Sequence, residues 1–409
     1  MFNRRDFLRS TAAGMSFVSL SGGMSGLLAR AAEASAEADR NDHVLLVVEL
    51  AGGNDGLNTL VPFENPLYYK NRPTLTLAKE DLVKLSDQAG LHPRMAPLGE
   101  LFSDGKLAVV QGVGYPEPDR SHFRSQEIWH TASTDKRVPA TGWLGRWLDA
   151  TAPAYSEGLA GLTMTSTLPQ ALRAERVVAP VVSQLESLSG AGDDASPQAR
   201  LLRRLSTVDG ASEGPVPFIR QQVRAVYRAA ARLKEAASKN ETNAEYPDVA
   251  LAHQLRQAAQ IIAADLGVRV LCTSQDGYDT HAGQAGTHAE LLSELANSLA
   301  AFQRDLAARD ISDKVVVLVF SEFGRRVDEN ASQGTDHGAA SILFVVGSPV
   351  CGGLIGEYPS LEQLGDGDLI FNTDFRSVYA TLLADWLGAP AKVVLGSEFP
   401  RLALIQKPA

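Results

Sequence analysis

Aspartate and histidine stand together at two places in this chain, Gly277-Tyr278-Asp279-Thr280-His281 and Gly334-Thr335-Asp336-His337-Gly338. Each follows an apolar run, Val268-Arg269-Val270-Leu271-Cys272 before the first and Val315-Val316-Val317-Leu318-Val319-Phe320 before the second. Carboxylate and imidazole together suit zinc, manganese or iron, and an ion so held polarises an ester or activates water. Small residues on both sides of Asp336 and His337 let them approach a ligand closely. Asp279 and His281, two apart on a loop, can enter one site or form a hydrogen-bonded pair without metal.

Three further segments carry candidate chemistry. Gly52-Gly53-Asn54-Asp55-Gly56-Leu57-Asn58 follows the first strand, and Asp55 is suited either to a metal or to a turn held by its own side chain. Pro118-Asp119-Arg120-Ser121-His122-Phe123-Arg124 opens a helix. Ser121 there faces free backbone N–H groups, which suits a nucleophile attacking a phosphate or sulfate ester as well as a simple cap. Arg120 and Arg124 suit the charge of such a group. Ser321-Glu322-Phe323-Gly324-Arg325 sits at a strand's carboxyl end, where Glu322 is a ligand or the ion-pair partner of Arg325. His-Glu-x-x-His and Gly-x-x-x-x-Gly-Lys are both missing.

Apolar runs at His43–Leu50, Lys106–Val113, Val268–Thr273, Val315–Phe320 and Ser341–Gly347 read as strands, several continuous enough to be buried on both faces of a parallel sheet. Ala285–Arg309 carries Leu291, Leu292, Leu295, Leu299, Phe302 and Leu306 at helical spacing. A last helix, Phe375–Leu387, is stopped by Gly388 and Pro390. Alternating strand and helix predicts an α/β three-layer sandwich with a mostly parallel central sheet. Such sheets collect ligands outside the carboxyl ends of their strands. The middle differs: Ser183–Gly214 reads as loop, and Pro217–Lys239 and Asp248–Gly267 as long helices. A helical insertion over about 183–247 is expected, with Asn240–Pro247 as a hinge.

The N-terminus, Asn3-Arg4-Arg5-Asp6-Phe7-Leu8-Arg9, precedes a weakly apolar stretch and Ala-x-Ala cleavage choices. It resembles a twin-arginine export signal over residues 1–34, which predicts a periplasmic or secreted protein and the export machinery as a partner. Gly22, Gly23 and Gly26 interrupt the stretch, so no stable membrane anchor is expected. The formal net charge is −10, and removing the arginine-rich segment makes it more negative still, which argues against nucleic-acid binding. Only Cys272 and Cys351 occur. A disulfide between them is possible in an oxidising compartment, although two buried thiols are favoured.

The ordered motifs Leu50–Asn58, Arg120–Phe123, Gly277–His281, Ser321–Arg325 and Thr335–Gly338 resemble the twin-arginine-exported domain-of-unknown-function family numbered 1501. That family is similar in fold to the alkaline phosphatase and sulfatase superfamily, so the resemblance implies an alkaline-phosphatase-like α/β domain over 40–409. It implies Asp55 after the first strand, Ser121 as nucleophile, Asp279 with His281 as ligands, and His337 as the final histidine. An Asp-His pair expected at the later strand end reads Glu322-Phe323, which removes one imidazole, and Asp336 is the residue placed to compensate. No formylglycine motif surrounds Ser121, Cys272 or Cys351. The leading expectation is an exported hydrolase of phosphate or related esters, acting on a small-molecule or polymer substrate. It would hold a divalent metal (Zn, Mn, Fe or Ca) on Asp55, Asp279, His281, Glu322, Asp336 and His337. Ser121 would attack, with Arg120, Arg124 or Arg325 holding the oxyanion. The other expectation is a non-catalytic periplasmic module that binds a glycan or a protein.

Overall fold

Continuous Val/Leu/Phe runs become strands whose alternate side chains enter two different cores. In the computed structural model, which describes residues 42–151, 159–182, 233, 235, 240 and 242–406, the central sheet has eight strands. They are β1 (Val44–Ala51), β2 (Leu107–Gly114), β3 (Gly161–Thr163), β4 (Val270–Asp276), β5 (Val315–Phe320), β6 (Ser341–Val346), β7 (Gly353–Ile355) and β8 (Thr373–Asp374). The order is β7-β2-β6-β5-β1-β4-β3, with β8 beside the end of β2. Every pairing is parallel except the two that β6 makes with β2 and β5. The described residues belong to one compact unit, Asp42–Ala409.

Helices cover both faces, as both-face burial of the strands requires. They are α1 (Ala96–Ser103), α2 (His122–Thr131), α3 (Trp143–Thr151), α4 (Ala250–Ala263), α5 (Gln284–Ala308) and α6 (Phe375–Thr381). Leu46, Val48 and Leu50 of β1 pack with Leu98, Leu255 and Phe302 from α1, α4 and α5. Leu45 and Val47 enter the opposite core with Trp129, Trp143 and Tyr379 from α2, α3 and α6. Trp143 and Tyr379 stack at 4.1 Å. Each such buried large side chain contributes roughly 1.5–3 kcal/mol. The expected α/β three-layer sandwich with a mostly parallel sheet is therefore what the chain forms.

Three expectations need correction or bounding. The last helix is regular only to Thr381 and continues as a wide π turn, Leu382–Trp386, before Gly388 at φ 68° turns the chain away. The predicted hinge is fastened down: Thr242 and Tyr246 donate to the Asp305 carboxylate at 2.7 and 3.0 Å, and Arg309 donates to the Asn240 carbonyl at 3.0 Å. These bonds tie the segment to the end of α5. Cys272 and Cys351 are both free, the first buried and the second half-buried. The export signal and most of the helical insertion lie outside the described residues. Among the described residues, no helix is long and apolar enough to cross a membrane.

Candidate metal centre

The carboxyl ends of β1, β4 and β5 meet at one edge of the sheet, and glycine lets them come close. Gly52 follows β1 at φ 119°, and a Cβ there would lie 2.5 Å from the Asp279 nitrogen. Only glycine permits that approach between the β1 and β4 ends. The Gly52 and Gly53 amides donate to the two Glu322 oxygens at 2.9 and 3.2 Å, and Ser321 Oγ lies 3.1 Å from Oε2. Glu322, fully buried after β5, is thus a carboxylate held by backbone. Arg325, also buried, donates from Nη2 to the Asp279 carboxylate at 2.7 Å and the Tyr278 carbonyl at 2.9 Å. Its Nη1 reaches the Thr335 carbonyl at 2.8 Å. It also bonds the Gly52 and Gly53 carbonyls. One guanidinium therefore locks the three loops together.

Three histidines converge on Asp279. Each has its Nδ1 against an acceptor: His122 against Glu322 at 2.8 Å, His281 against Asp336 at 3.1 Å, and His337 against the Arg120 carbonyl at 2.8 Å. A carbonyl or carboxylate can only accept, so each Nδ1 carries the proton and each neutral ring presents its Nε2 lone pair. His281 Nε2 and His337 Nε2 lie 3.0 Å apart, and each lies 3.0 Å from Asp279 Oδ1. His122 Nε2 is 3.6 Å from Asp279 Oδ2. Acceptors this close repel unless a cation sits among them, either protons on the rings or a metal ion.

The donors fit an ion. A tetrahedral metal bound at 2.0–2.1 Å separates its ligand atoms by about 3.3 Å, between the 3.0 and 3.6 Å that separate Asp279 from the imidazoles. His122, Asp279 and His337 also form a group with ligand atoms mutually within 4.8 Å. Burial would raise the Asp279 carboxyl, but the Arg325 guanidinium bonded to it outweighs burial and holds it below the usual carboxylate value. Asp279 therefore stays an anion at any ordinary pH. The Glu322 bond holds the His122 imidazole above its usual value. Orienting carboxylates behind ligating imidazoles are the usual second layer of a metal site.

Residues 42–385 match the model of the family described as "Protein of unknown function (DUF1501)". The chain belongs to that family. No curated protein matches it. Among solved structures it is similar to the C-terminal periplasmic domain of EcEptC from Escherichia coli, with TM-score 0.40 and 12% identity over 88% of this chain and 89% of that one. It is also similar to the PsFucS1 sulfatase from Pseudoalteromonas sp., with TM-score 0.37 and 10% identity over 87% and 68%. A third is the phosphonate monoester hydrolase of Agrobacterium radiobacter, with TM-score 0.36 and 9% identity over 87% and 78%.

Within this family member, the side-chain tips of Asp279, His281 and His337 come together at 3.0 Å, and other expected residues take different places. Glu322 and Asp336 touch histidine Nδ1 atoms, each orienting one imidazole. Asp55 is apart from the cluster: Arg72 clamps both its oxygens at 2.6 and 3.1 Å, buried, and Gln284 donates to it as well. Arg325 is enclosed and engaged with carbonyls, so it is not free to hold a substrate oxyanion. Arg124 grips the Thr134 and Asp135 carbonyls at 3.3 and 2.6 Å, and Arg120 pairs with Asp366 and Asp368. Ser121 precedes α2 with its side chain exposed, and its hydroxyl makes no capping bond.

His122 is the residue that sequence reasoning passed over. It was visible inside Arg120–Phe123 but overshadowed by Ser121. Phe323, where an imidazole was expected, packs its ring 4.8 Å from both His122 and His337. His122 thus brings an imidazole from α2 to the strand end where Phe323 stands, and Phe323 is a wall that sets the two histidine rings.

Proposed function

We propose that this protein is an exported metal-dependent hydrolase of phosphate or related esters. The single observation that carries the reading is the convergence of three Nε2 lone pairs on the Asp279 carboxylate, each fixed by an acceptor behind it. His122, Asp279, His281 and His337 would hold the ion. Three imidazoles and one carboxylate favour zinc, iron or manganese, and disfavour calcium, which takes oxygen ligands. The ion would supply Lewis acidity to an ester oxygen and favour a deprotonated nucleophile. Ser121, one residue before His122, stands as the nucleophile of this reading, and the periplasm as its compartment.

A second reading, a metal-stabilised binding module without turnover, is favoured by one feature. Arg120, Arg124 and Arg325 all have partners, so no arginine of the expected set is free to receive an oxyanion. Elemental analysis of protein from an exporting host, with a phosphomonoester, phosphodiester and sulfate-ester screen, separates the readings. Stoichiometric metal with turnover that Ser121→Ala abolishes supports the hydrolase. Metal without turnover supports the module, and no metal in a folded protein sinks both.

A further inference from the structure

A cleft of about 600 Å³ opens beside the metal centre, a size common for small-molecule sites. The two share residues. Phe323 lines the cleft and packs on His122 and His337, and Arg120 lines it while its carbonyl holds His337. Tyr115, Leu369, Ile370 and Phe371 add to its apolar wall, and Gly114 lets Phe371 come close, since a Cβ there would lie 2.8 Å from the Phe371 Cβ. The Tyr115 hydroxyl is engaged with Ser125 at 2.8 Å and the Asp119 amide at 3.2 Å, so its ring is what it can offer a ligand. Ile370 stands 51% exposed at this wall, a large apolar side chain short of contact.

The charges of the cleft point the same way. Its charged wall residues are Arg120, Asp119, Asp366 and Asp368. Arg120 donates to Asp368 at 2.7 Å and pairs with Asp366 at 3.0 Å. Arg326 approaches the same two carboxylates at 3.7 and 3.8 Å. The walls therefore carry excess negative charge with their arginine already neutralised. Such a surface repels a second anionic group on a ligand, while flat apolar walls accept a ring.

We propose that this cleft receives the alcohol half of the ester, and that this half is an uncharged aryl group rather than a sulfated sugar or a nucleotide. The assignment rests on the hydrolase reading for what is cleaved, and on the cleft alone for what is bound. 2-Naphthol, an uncharged aryl alcohol, is therefore the probe, titrated into the mature protein by calorimetry before and after chelation. We expect saturable binding in both states, weakened about tenfold by Ile370→Asp, a change at an exposed position, and likewise by Ile370→Ser. Glucose should not compete. Absence of saturable binding, or equal binding by wild type and both Ile370 variants, overturns the assignment even if metal and turnover are found. Naphthol binding that survives in a protein without metal or turnover supports the cleft and sinks the hydrolase alone.

Discussion

His337 donates its Nδ1–H to the main-chain carbonyl of Arg120 at 2.8 Å. That bond ties the loop after β5 to the entry of α2, and it leaves Nε2 as a lone pair 3.0 Å from Asp279. The tautomer is set by backbone, not by a side chain that substitution can remove. His122 and His281 instead depend on Glu322 and Asp336, so the three imidazoles should differ in how they respond to mutation.

Glu322→Gln tests the dependence of His122. Its amide places N–H groups where the Gly52 and Gly53 amides now find acceptors. Metal affinity should fall about 10–100-fold, the usual effect of losing an orienting partner, read by competition with a coloured chelator. Unchanged affinity would remove His122 from the ligand set. Asp279→Asn should abolish stoichiometric binding in the same assay.

Metal removal should lower thermal stability. An ion that binds the folded chain at about 100 times its Kd contributes about 2.7 kcal/mol. Chelation should therefore lower the unfolding midpoint of the wild type and leave that of Asp279→Asn where it was. Equal shifts in both proteins would place the stabilising ion elsewhere.

Asp55 gives the opposite pattern. Asp55→Asn leaves Arg72 buried without its counter-charge, a loss of about 3–5 kcal/mol, with metal content unchanged. Burial would raise the Asp55 carboxyl, but Arg72 outweighs it and holds it low. Its contribution should thus be complete above the unfolded carboxylate value of about 3.9 and disappear as pH falls through the folded value. Urea unfolding of wild type and variant across the acid range reads this directly. A metal loss in Asp55→Asn would return Asp55 to the centre.

A pH dependence of opposite sign is expected beneath the sheet. His130 Nε2 lies 2.9 Å from Glu49 in the second core. Burial would lower the His130 value, but Glu49 outweighs it and raises it. The pair should therefore stabilise fully below about 6.5 and fade as pH rises through the raised value. The stability gap between wild type and His130→Gln should narrow from pH 6 to 9. A constant gap would show that the pair does not titrate in that range.

The strands and the two Asp/His clusters were legible because each depends on local pattern: apolar runs for β1, β4 and β5, and short polar motifs just after them. What was not legible is the division of labour among those motifs. Sequence could not show that Glu322 and Asp336 meet histidine Nδ1 atoms, because a carboxylate beside a strand end looks the same whatever it faces. Asp55 read like a ligand because its partner, Arg72, carries no motif of its own. His122 was passed over because its role arises from where β5 places Glu322, 200 residues away. The wide turn at Leu382–Trp386 was likewise invisible, since apolar spacing does not distinguish it from an ordinary helix end.

One strand direction has a further consequence. Because β6 runs against β5, the chain leaving β5 returns at the same end of the sheet without crossing a layer. Glu322, Arg325, Asp336 and His337 therefore belong to a single excursion whose two feet are strands. Its tip, near Ala331 and Ser332, is exposed, yet Asn330 beside it donates to the His281 carbonyl at 3.0 Å, and the Ser332 and Gln333 carbonyls accept from the Gly283 and Gln284 amides at 3.0 and 2.9 Å. An insertion at that tip would therefore be felt by the loop that carries His281, so the two loops can vary in length only together.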